Sequence, residues 1–342
     1  MQGENKHTTQ YNMLSFDRLF ISVPFNRTAQ TNPNPNYFVY NPSTKTYTYN
    51  SLLPKKRGSK LVITIQEHIV TFDFTSTILN ERMVELISND NIRDCITNIR
   101  ERNILCFDVD YVLQNATVIA ADVTKDVAID SSWIDQLSYY TSIHIKNNRK
   151  YTIDHYRNRF VLRKLSSVND NRYKRSLTVY DKYYQLKRNH CPYHEVLDYY
   201  RGVWRIERKL RTKKEIREAL HLASHSSISL TDVLNADANP FTELYTKMVN
   251  IEPYSIIHSN IKDYRVGCLV ENKGGDMKQI EEELRKMYKS FHRKMLIPYQ
   301  DYIDNLKDHS ATELVKQIIE FFDTSAIPPY SSLRPIPSLC FA

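Results

Sequence analysis

The sequence predicts an α+β protein, a mostly antiparallel sheet with helices on one face followed by a helical C-terminal region. Three observations carry that prediction. Short segments with apolar residues at every second position recur up to about residue 228, which is the period of a half-buried strand. Beyond Ile228 the apolar residues recur at helical spacing, in Thr242 to Val249, Gly275 to Phe291 and Ser310 to Phe322. The last of these opens with the capping box Ser310-Ala-Thr-Glu313. The expected organisation is an α+β domain over 1–228, a helical region over 229–325, and an extended or disordered tail over 326–342. In that tail Pro328, Pro329, Pro335 and Pro337 interrupt any regular element.

Taken in order, Phe16 to Val23 reads as a strand stopped by Pro24, and the polar stretch from Asn26 to Lys56 as a long loop or weak hairpin. Leu61 to Gln66 and Ile69 to Thr75 form a strand pair. Asn80 is placed to cap a helix carrying Met83, Val84, Ile87, Ile92, Ile96 and Ile99, with a break near Asn89. Ile104 to Tyr111 reads as a strand, followed by the strand Ala120 to Asp126, a short helix around Trp133 to Leu137, and the strands Ser142 to Lys146 and Arg159 to Arg163. Leu177 to Lys182 and Trp204 to Leu210 are strands, Tyr193 to Tyr200 is helical, and a basic helix runs from about Lys213 to His221.

With 342 residues, 41% of them hydrophobic, the chain can bury a sizeable core. Its formal net charge of +8 favours polyanionic partners, nucleic acid first. The cations concentrate in one segment, where Arg201, Arg205, Arg208, Lys209, Arg211, Lys213, Lys214 and Arg217 face only Glu207 and Glu215. The five cysteines, Cys95, Cys106, Cys191, Cys268 and Cys340, are odd in number and widely spaced, so neither a disulfide framework nor a zinc ribbon is indicated and a reducing cytoplasm fits. The N-terminus is polar and no apolar run is long enough to cross a bilayer, so no membrane partner is expected.

Three of the strand-like segments pair an apolar face with ionisable residues on the other. In the first, Ile119, Ala121 and Val123 oppose Asp122, Thr124 and Asp126. The second sets Leu177 and Val179 against Thr178, Tyr180 and Lys182, and the third sets Trp204 and Ile206 against Arg205, Glu207 and Lys209. Side by side in one sheet, these faces would combine carboxylates, a tyrosine and cations, which is what metal-assisted phosphodiester chemistry needs. A phenol with a pKa of about 10 is a poor nucleophile until cations or a metal stabilise its anion. Lys182 and Arg205 are the candidate cations for Tyr180. Asp122 and Glu207 are the candidate metal ligands, and oxygen ligands point to Mg²⁺ or Mn²⁺. Structural readings stand beside these: Tyr180 is one of 24 tyrosines, Asp108, Asp110, Asp122 and Asp126 suit solvated strand positions, and Arg205 with Glu207 suits a cross-strand ion pair. No His-x-His or His-apolar-His pair occurs.

In these segments the chain resembles the gene II family of filamentous-phage replication initiators, rolling-circle nickases with relatives among plasmid initiators. Asn115-Ala-Thr-Val-Ile-Ala-Ala-Asp122-Val-Thr124 is similar to the family's N-A-T-x-I-x-R-I-D-x-T strand, Tyr180-Asp-Lys182 to its Y-x-K element, and Arg205-Ile-Glu207-Arg-Lys to its R-F-E-x-R strand. The opening Phe16-Asp-Arg-Leu-Phe-Ile-Ser-Val-Pro and the strand Val70-Thr-Phe-Asp-Phe-Thr-Ser are also similar, so the resemblance spans roughly residues 14 to 225. It implies a nickase-like core in which Tyr180 is the nicking tyrosine and Asp122 and Glu207 are acidic metal positions. The chain departs from the family at Ala120-Ala121, where an arginine precedes the aspartate; the gap this forces leaves Asp126 as the alternative to Asp122. A family glutamate falls at Gln185.

The function expected is that of a rolling-circle DNA replication initiator of a phage or plasmid in the bacterial cytoplasm. It would be a site-specific, metal-dependent single-strand endonuclease and strand transferase, working through a 5′-phosphotyrosyl intermediate on Tyr180. Arg201, Arg208, Lys209, Arg211, Lys213 and Lys214 are expected to hold phosphates of double- or single-stranded origin DNA, with host helicase and polymerase as further partners. A DNA-transfer relaxase and a non-catalytic DNA-binding repressor are the competing expectations.

Overall fold

The structure is a computed structural model that describes residues 14–24, 36–51, 60–146, 150–164, 176–223, 227–251, 261–274, 276–305 and 312–323. Its strands are β1 (Phe16–Pro24), β2 (Val39–Asn41), β3 (Thr46–Asn50), β4 (Leu61–Gln66), β5 (Ile69–Thr75), β6 (Thr117–Ala128), β7 (Tyr151–Tyr156), β8 (Arg159–Lys164), β9 (Ser176–Asp181) and β10 (Val203–Leu210). Among the described residues these form one sheet in the order β2-β3-β4-β5-β1-β6-β10-β9-β8-β7. Every neighbouring pair is antiparallel, and helices accompany the sheet as the alternation predicts. The 12-residue β6 lies near the centre because its length pairs with β1 on one side and β10 on the other.

One face of the sheet forms the main core. Phe16, Leu19 and Ile21 of β1, Phe72 and Phe74 of β5, Val118, Ala121 and Val123 of β6, Leu177 and Val179 of β9, and Ile206 of β10 are almost fully buried in one cluster. The apolar positions in β1 slip from Phe16 to Leu19, and in β6 from Val118 to Ala121. These odd spacings mark two register shifts, between Phe16 and Arg18 and between Phe20 and Ile21 in the β1–β6 ladder. Ile119 is the extra residue of the second shift, so Val118 takes the core position expected for it. The first shift leaves Asp17 outside the β1–β6 pairing and turns it toward the other face, where Arg205 meets it.

Several elements differ from the sequence expectation. Ile104 to Tyr111 is not a strand: the Asp108 carboxylate accepts from the backbone N–H groups of Asp110 (2.8 Å) and Tyr111 (3.3 Å) and starts a helix over Val109–Asn115. Ser142 to Lys146 is not a strand either: the helix Ser131–Ile143, capped by Asp130, takes in its first two residues and buries Leu137 and Tyr140, and beyond the helix Ile145 makes only an isolated bridge to Val249. Asn80 does not cap a helix; it kinks a 3-10 segment over Ser76–Glu85 at φ 57°. The α-helix begins only at Ile92, after Asn91 has tied the preceding turn through Leu86 O at 2.6 Å. Lys182 is the first residue of a helix, Lys182–Arg188, instead of the end of its strand, since Asp181 caps that helix at Tyr184 N. β7 and the helices Ile261–Asn272 and Ile297–Asn305 had no counterpart in the sequence reading.

Helices after residue 228 pack directly on the core face. Pro240–Met248 buries Phe241, Leu244 and Tyr245, and Thr312–Asp323 buries Ile318, Phe321 and Phe322, all within the main cluster. The Tyr245 and Phe322 rings lie 4.4 Å apart between centroids. The helices Ile261–Asn272, Met277–Met287 and Ile297–Asn305 gather around a smaller cluster of Val270, Ile280 and Leu284. Ser310 of the expected capping box and the tail 326–342 lie outside the described residues, and among the described residues no helix is long and apolar enough to cross a membrane.

Candidate active site

The other face of the sheet carries the polar residues. Because β9, β10 and β6 are adjacent, register places Arg205 opposite Asp126 on one side and Tyr180 on the other, Glu207 opposite Thr124 and Thr178, and Lys209 opposite Asp122. Residues paired in an antiparallel ladder share a face. The strand alternation therefore assembles the expected tyrosine, carboxylates and cations in one place.

At the centre, Tyr180 donates its phenolic hydrogen to Glu207 Oε2 at 3.2 Å. Both side chains are largely buried, and burial pushes the Tyr180 phenol well above its ordinary pKa, against the pull of the Arg205 charge. Lys182 Nζ lies 5.8 Å from the Tyr180 ring centroid and 6.0 Å from that of Tyr200, and it donates to Gln185 Oε1 at 2.9 Å. Burial and the neighbouring Arg205 pull the Lys182 ammonium down to about 8. Gln185, where the resemblance would place a glutamate, thus supplies Lys182 with a neutral acceptor.

Arg205 is fully buried and serves structure more than substrate contact. Its guanidinium makes a bidentate pair with Asp126 at 2.7 Å on both oxygens, reaches Asp17 at 2.6 Å and donates to the Tyr200 hydroxyl at 2.7 Å. Pairing with Asp126 and Asp17 holds its pKa well above the usual value against burial. Asp17, which burial alone would push up, is instead brought to about 2 by Lys182 and Arg205, with Ser76 donating to it at 3.0 Å. The ion pair of Arg205 is therefore with Asp126 and Asp17, not with Glu207. Asp17 was missed by sequence reasoning; the odd Phe16-to-Leu19 spacing was the available signal for it.

Asp126 is committed to Arg205 through both oxygens, and Asp122 pairs with Arg211. Glu207 holds the Tyr180 hydroxyl and sits 3.2 Å from Lys209 Nζ. Among the described residues no three His, Cys, Asp or Glu side chains converge to cage a metal. Asp122 and Glu207 are diagonal neighbours on adjacent strands, the two carboxylates that would hold a Mg²⁺-like ion of the kind bound by one or two carboxylates. Each is at present paired with a part-exposed cation, Asp122 with Arg211 and Glu207 with Lys209.

The site opens into a cleft of about 870 Å³ over β8, β9 and the helix after β9, with Tyr180 and Glu207 in its wall. Arg157, Arg159, Arg163, Arg188, Lys209 and Arg211 line it against two carboxylates, Asp181 and Glu207. Of the residues expected to hold nucleic acid, Lys209 and Arg211 are here. Arg201 is exposed, pairs with Asp198 at 2.9 Å and stacks 5.1 Å from the Tyr183 ring, and Lys213 and Lys214 are exposed on the helix Lys213–Leu220. Arg208 does not belong with them: it alternates onto the core face, is 7% exposed, and its guanidinium donates to the carbonyl of Pro240.

Fold and site together define an α+β class in which an antiparallel sheet presents a buried tyrosine, carboxylates and cations on one face. No family model and no curated protein matches the sequence. Among solved structures the chain is similar to one described as the structure of a rolling circle replication initiator protein from Geobacillus stearothermophilus, with a TM-score of 0.34 and 9% identity, covering 74% of this chain and 91% of that one.

Proposed function

We propose that this protein is a rolling-circle replication initiator of a phage or plasmid, a nickase and strand transferase whose nucleophile is Tyr180. The observation that carries the reading is the Tyr180 hydroxyl hydrogen-bonded to Glu207 in the wall of a cleft lined by arginines. An arginine-rich cleft suits a phosphodiester chain, and the buried phenol is aligned by its carboxylate partner. In the reaction the Tyr180 oxygen bonds to phosphorus and the bond from phosphorus to the 3′ oxygen breaks. The phenolic proton passes to Glu207 Oε2, and the departing 3′ oxygen takes a proton from water. The 5′-phosphotyrosyl link retains the phosphodiester's energy, so a 3′-hydroxyl can later reclaim the strand.

Lys182 stabilises the developing phenolate over the ring, and the Arg205 charge acts through the Asp126–Tyr200 network that fixes the strand pair. Asp122 and Glu207 would hold a Mg²⁺ or Mn²⁺ ion, whose chemistry is to neutralise charge on the scissile phosphate. Origin DNA is the partner this site implies, with host helicase and polymerase acting on the nicked product.

The test is cleavage of the element's own origin, supercoiled and single-stranded, by wild type and Tyr180→Phe. A denaturation-resistant protein–DNA adduct that disappears in Tyr180→Phe is the expected result. Tight binding with neither adduct nor cutting would instead make the protein a repressor, and an adduct that survives Tyr180→Phe would move the nucleophile elsewhere.

A further inference from the structure

We propose that the tip of the β7–β8 hairpin, with Arg188 from the helix Lys182–Arg188, is a clamp for unpaired DNA beside the scissile bond. The inference rests on reading the cleft as a DNA-cleaving site, and it assigns the strand's path to residues that no motif marks.

Position couples the hairpin to Tyr180. Asp181, the residue after Tyr180, donates its backbone N–H to Asn158 O at the hairpin turn at 3.0 Å, and Arg159 lies opposite Tyr180 in the β8–β9 ladder. The same Asp181 caps the helix that carries Tyr184 and Arg188. The turn, the tyrosine strand and the helix are therefore tied together at one residue, so anything held by the turn and helix is held in register with the phenol.

The chemistry presented there is arginines beside exposed rings. Arg157, Arg159 and Arg188 line the cleft, are exposed, and make no ion pair among the described residues, whereas Arg163 is paired with Asp154. Tyr156 and Tyr184 are 48% and 45% exposed. The Arg159 guanidinium lies 4.1 Å from the Tyr156 ring centroid, so a base stacked on that ring would sit beside a cation able to reach its phosphate. Guanidiniums alternating with exposed rings suit single-stranded DNA, whose bases are free to stack, and not a duplex, whose bases are stacked on one another.

The experiment is equilibrium binding of a labelled oligothymidylate of fifteen residues, and of a fifteen-base-pair duplex, by the full chain carrying Tyr180→Phe. Relative to that protein, Arg157→Ala with Arg159→Ala should weaken oligothymidylate binding and lower the magnitude of its salt slope by about 1.4, from two lost single-strand phosphate contacts. Tyr156→Ala should weaken it by roughly tenfold or more while leaving the salt slope unchanged. All of these side chains are exposed, and thermal melting checks that the variants fold. Unchanged oligothymidylate binding overturns the clamp, as does an equal loss on the duplex. The proposal is separable from the function above: loss of oligothymidylate binding in the arginine variants, without any Tyr180 adduct in wild type, keeps the clamp and rejects the nickase. An adduct in wild type with unchanged binding in the variants does the reverse.

Discussion

Arg205 and Asp126 face each other across β10 and β6 in a bidentate pair at 2.7 Å, with the arginine fully buried and the aspartate nearly so. A buried pair of this kind costs most when only one partner is removed, since the survivor is an uncompensated charge. Asp126→Ala or Arg205→Ala should each lower stability by about 3–5 kcal/mol, read from urea unfolding midpoints. Arg205→Met with Asp126→Leu should recover part of the loss, since Asp17 and the Tyr200 hydroxyl still lose their Arg205 partner. The pair also holds Tyr200, so equal losses in the single and double variants would mean the network, and not the isolated charge, sets stability.

Lys125 lies on the core face, 6% exposed, with its ammonium donating to Phe322 O at 2.5 Å. Burial pushes it down to about 7, with Asp323 opposing. Below that pH the lysine is charged in both states and its desolvation penalty is complete. Between about 7 and the ordinary 10.5 the unfolded chain binds a proton that the folded chain has lost, so this group makes stability rise with pH. Lys125→Met should therefore stabilise most at pH 6, with the advantage shrinking as pH rises. Unfolding midpoints of both proteins across pH 6 to pH 9, roughly, provide the check; a constant difference would contradict the lowered pKa.

Arg208 and its neighbours separate packing from substrate contact. Arg208→Ala removes a buried charged hydrogen bond to Pro240 and should cost about 2 kcal/mol of stability with no change in the salt dependence of DNA binding. Lys213→Ala with Lys214→Ala should leave stability within about 0.5 kcal/mol of wild type, since both side chains are exposed. Melting curves and salt titrations on the same preparations distinguish the two patterns.

If Asp122 and Glu207 hold a divalent ion, chelation should abolish adduct formation and Mn²⁺ should restore it. Asp122→Asn should then raise the Mg²⁺ needed for half-maximal rate by roughly tenfold or more. Adduct yield against metal concentration measures this, and an unchanged Mg²⁺ dependence would confine Asp122 to its pair with Arg211.

Much of this site was legible because strand alternation is a local rule. Once Leu177 to Tyr180 and Trp204 to Lys209 are strands, Tyr180, Arg205 and Glu207 must share faces with their register partners, and the sheet order brings those faces together. Where the expectation failed, a side chain overrode propensity. Asp108 capped a helix in a segment that reads as a strand, and Asp181 started a helix at Lys182. Arg208 shows the opposite lesson: its charge suggested a surface, while its parity with Trp204 and Ile206 already placed it inside.

The sequence by itself determined the α+β class, the paired strands on either side of the site, and which of their residues face together, because periodicity follows from backbone geometry alone. Tertiary structure decided what each polar residue does there. Strand order and one β-bulge brought Asp126 and Asp17 onto Arg205, which turned a candidate substrate contact into a buried strut. The β7–β8 hairpin supplied arginines from outside every motif. Those outcomes depend on contacts between residues far apart in the chain, whose partners no local pattern encodes.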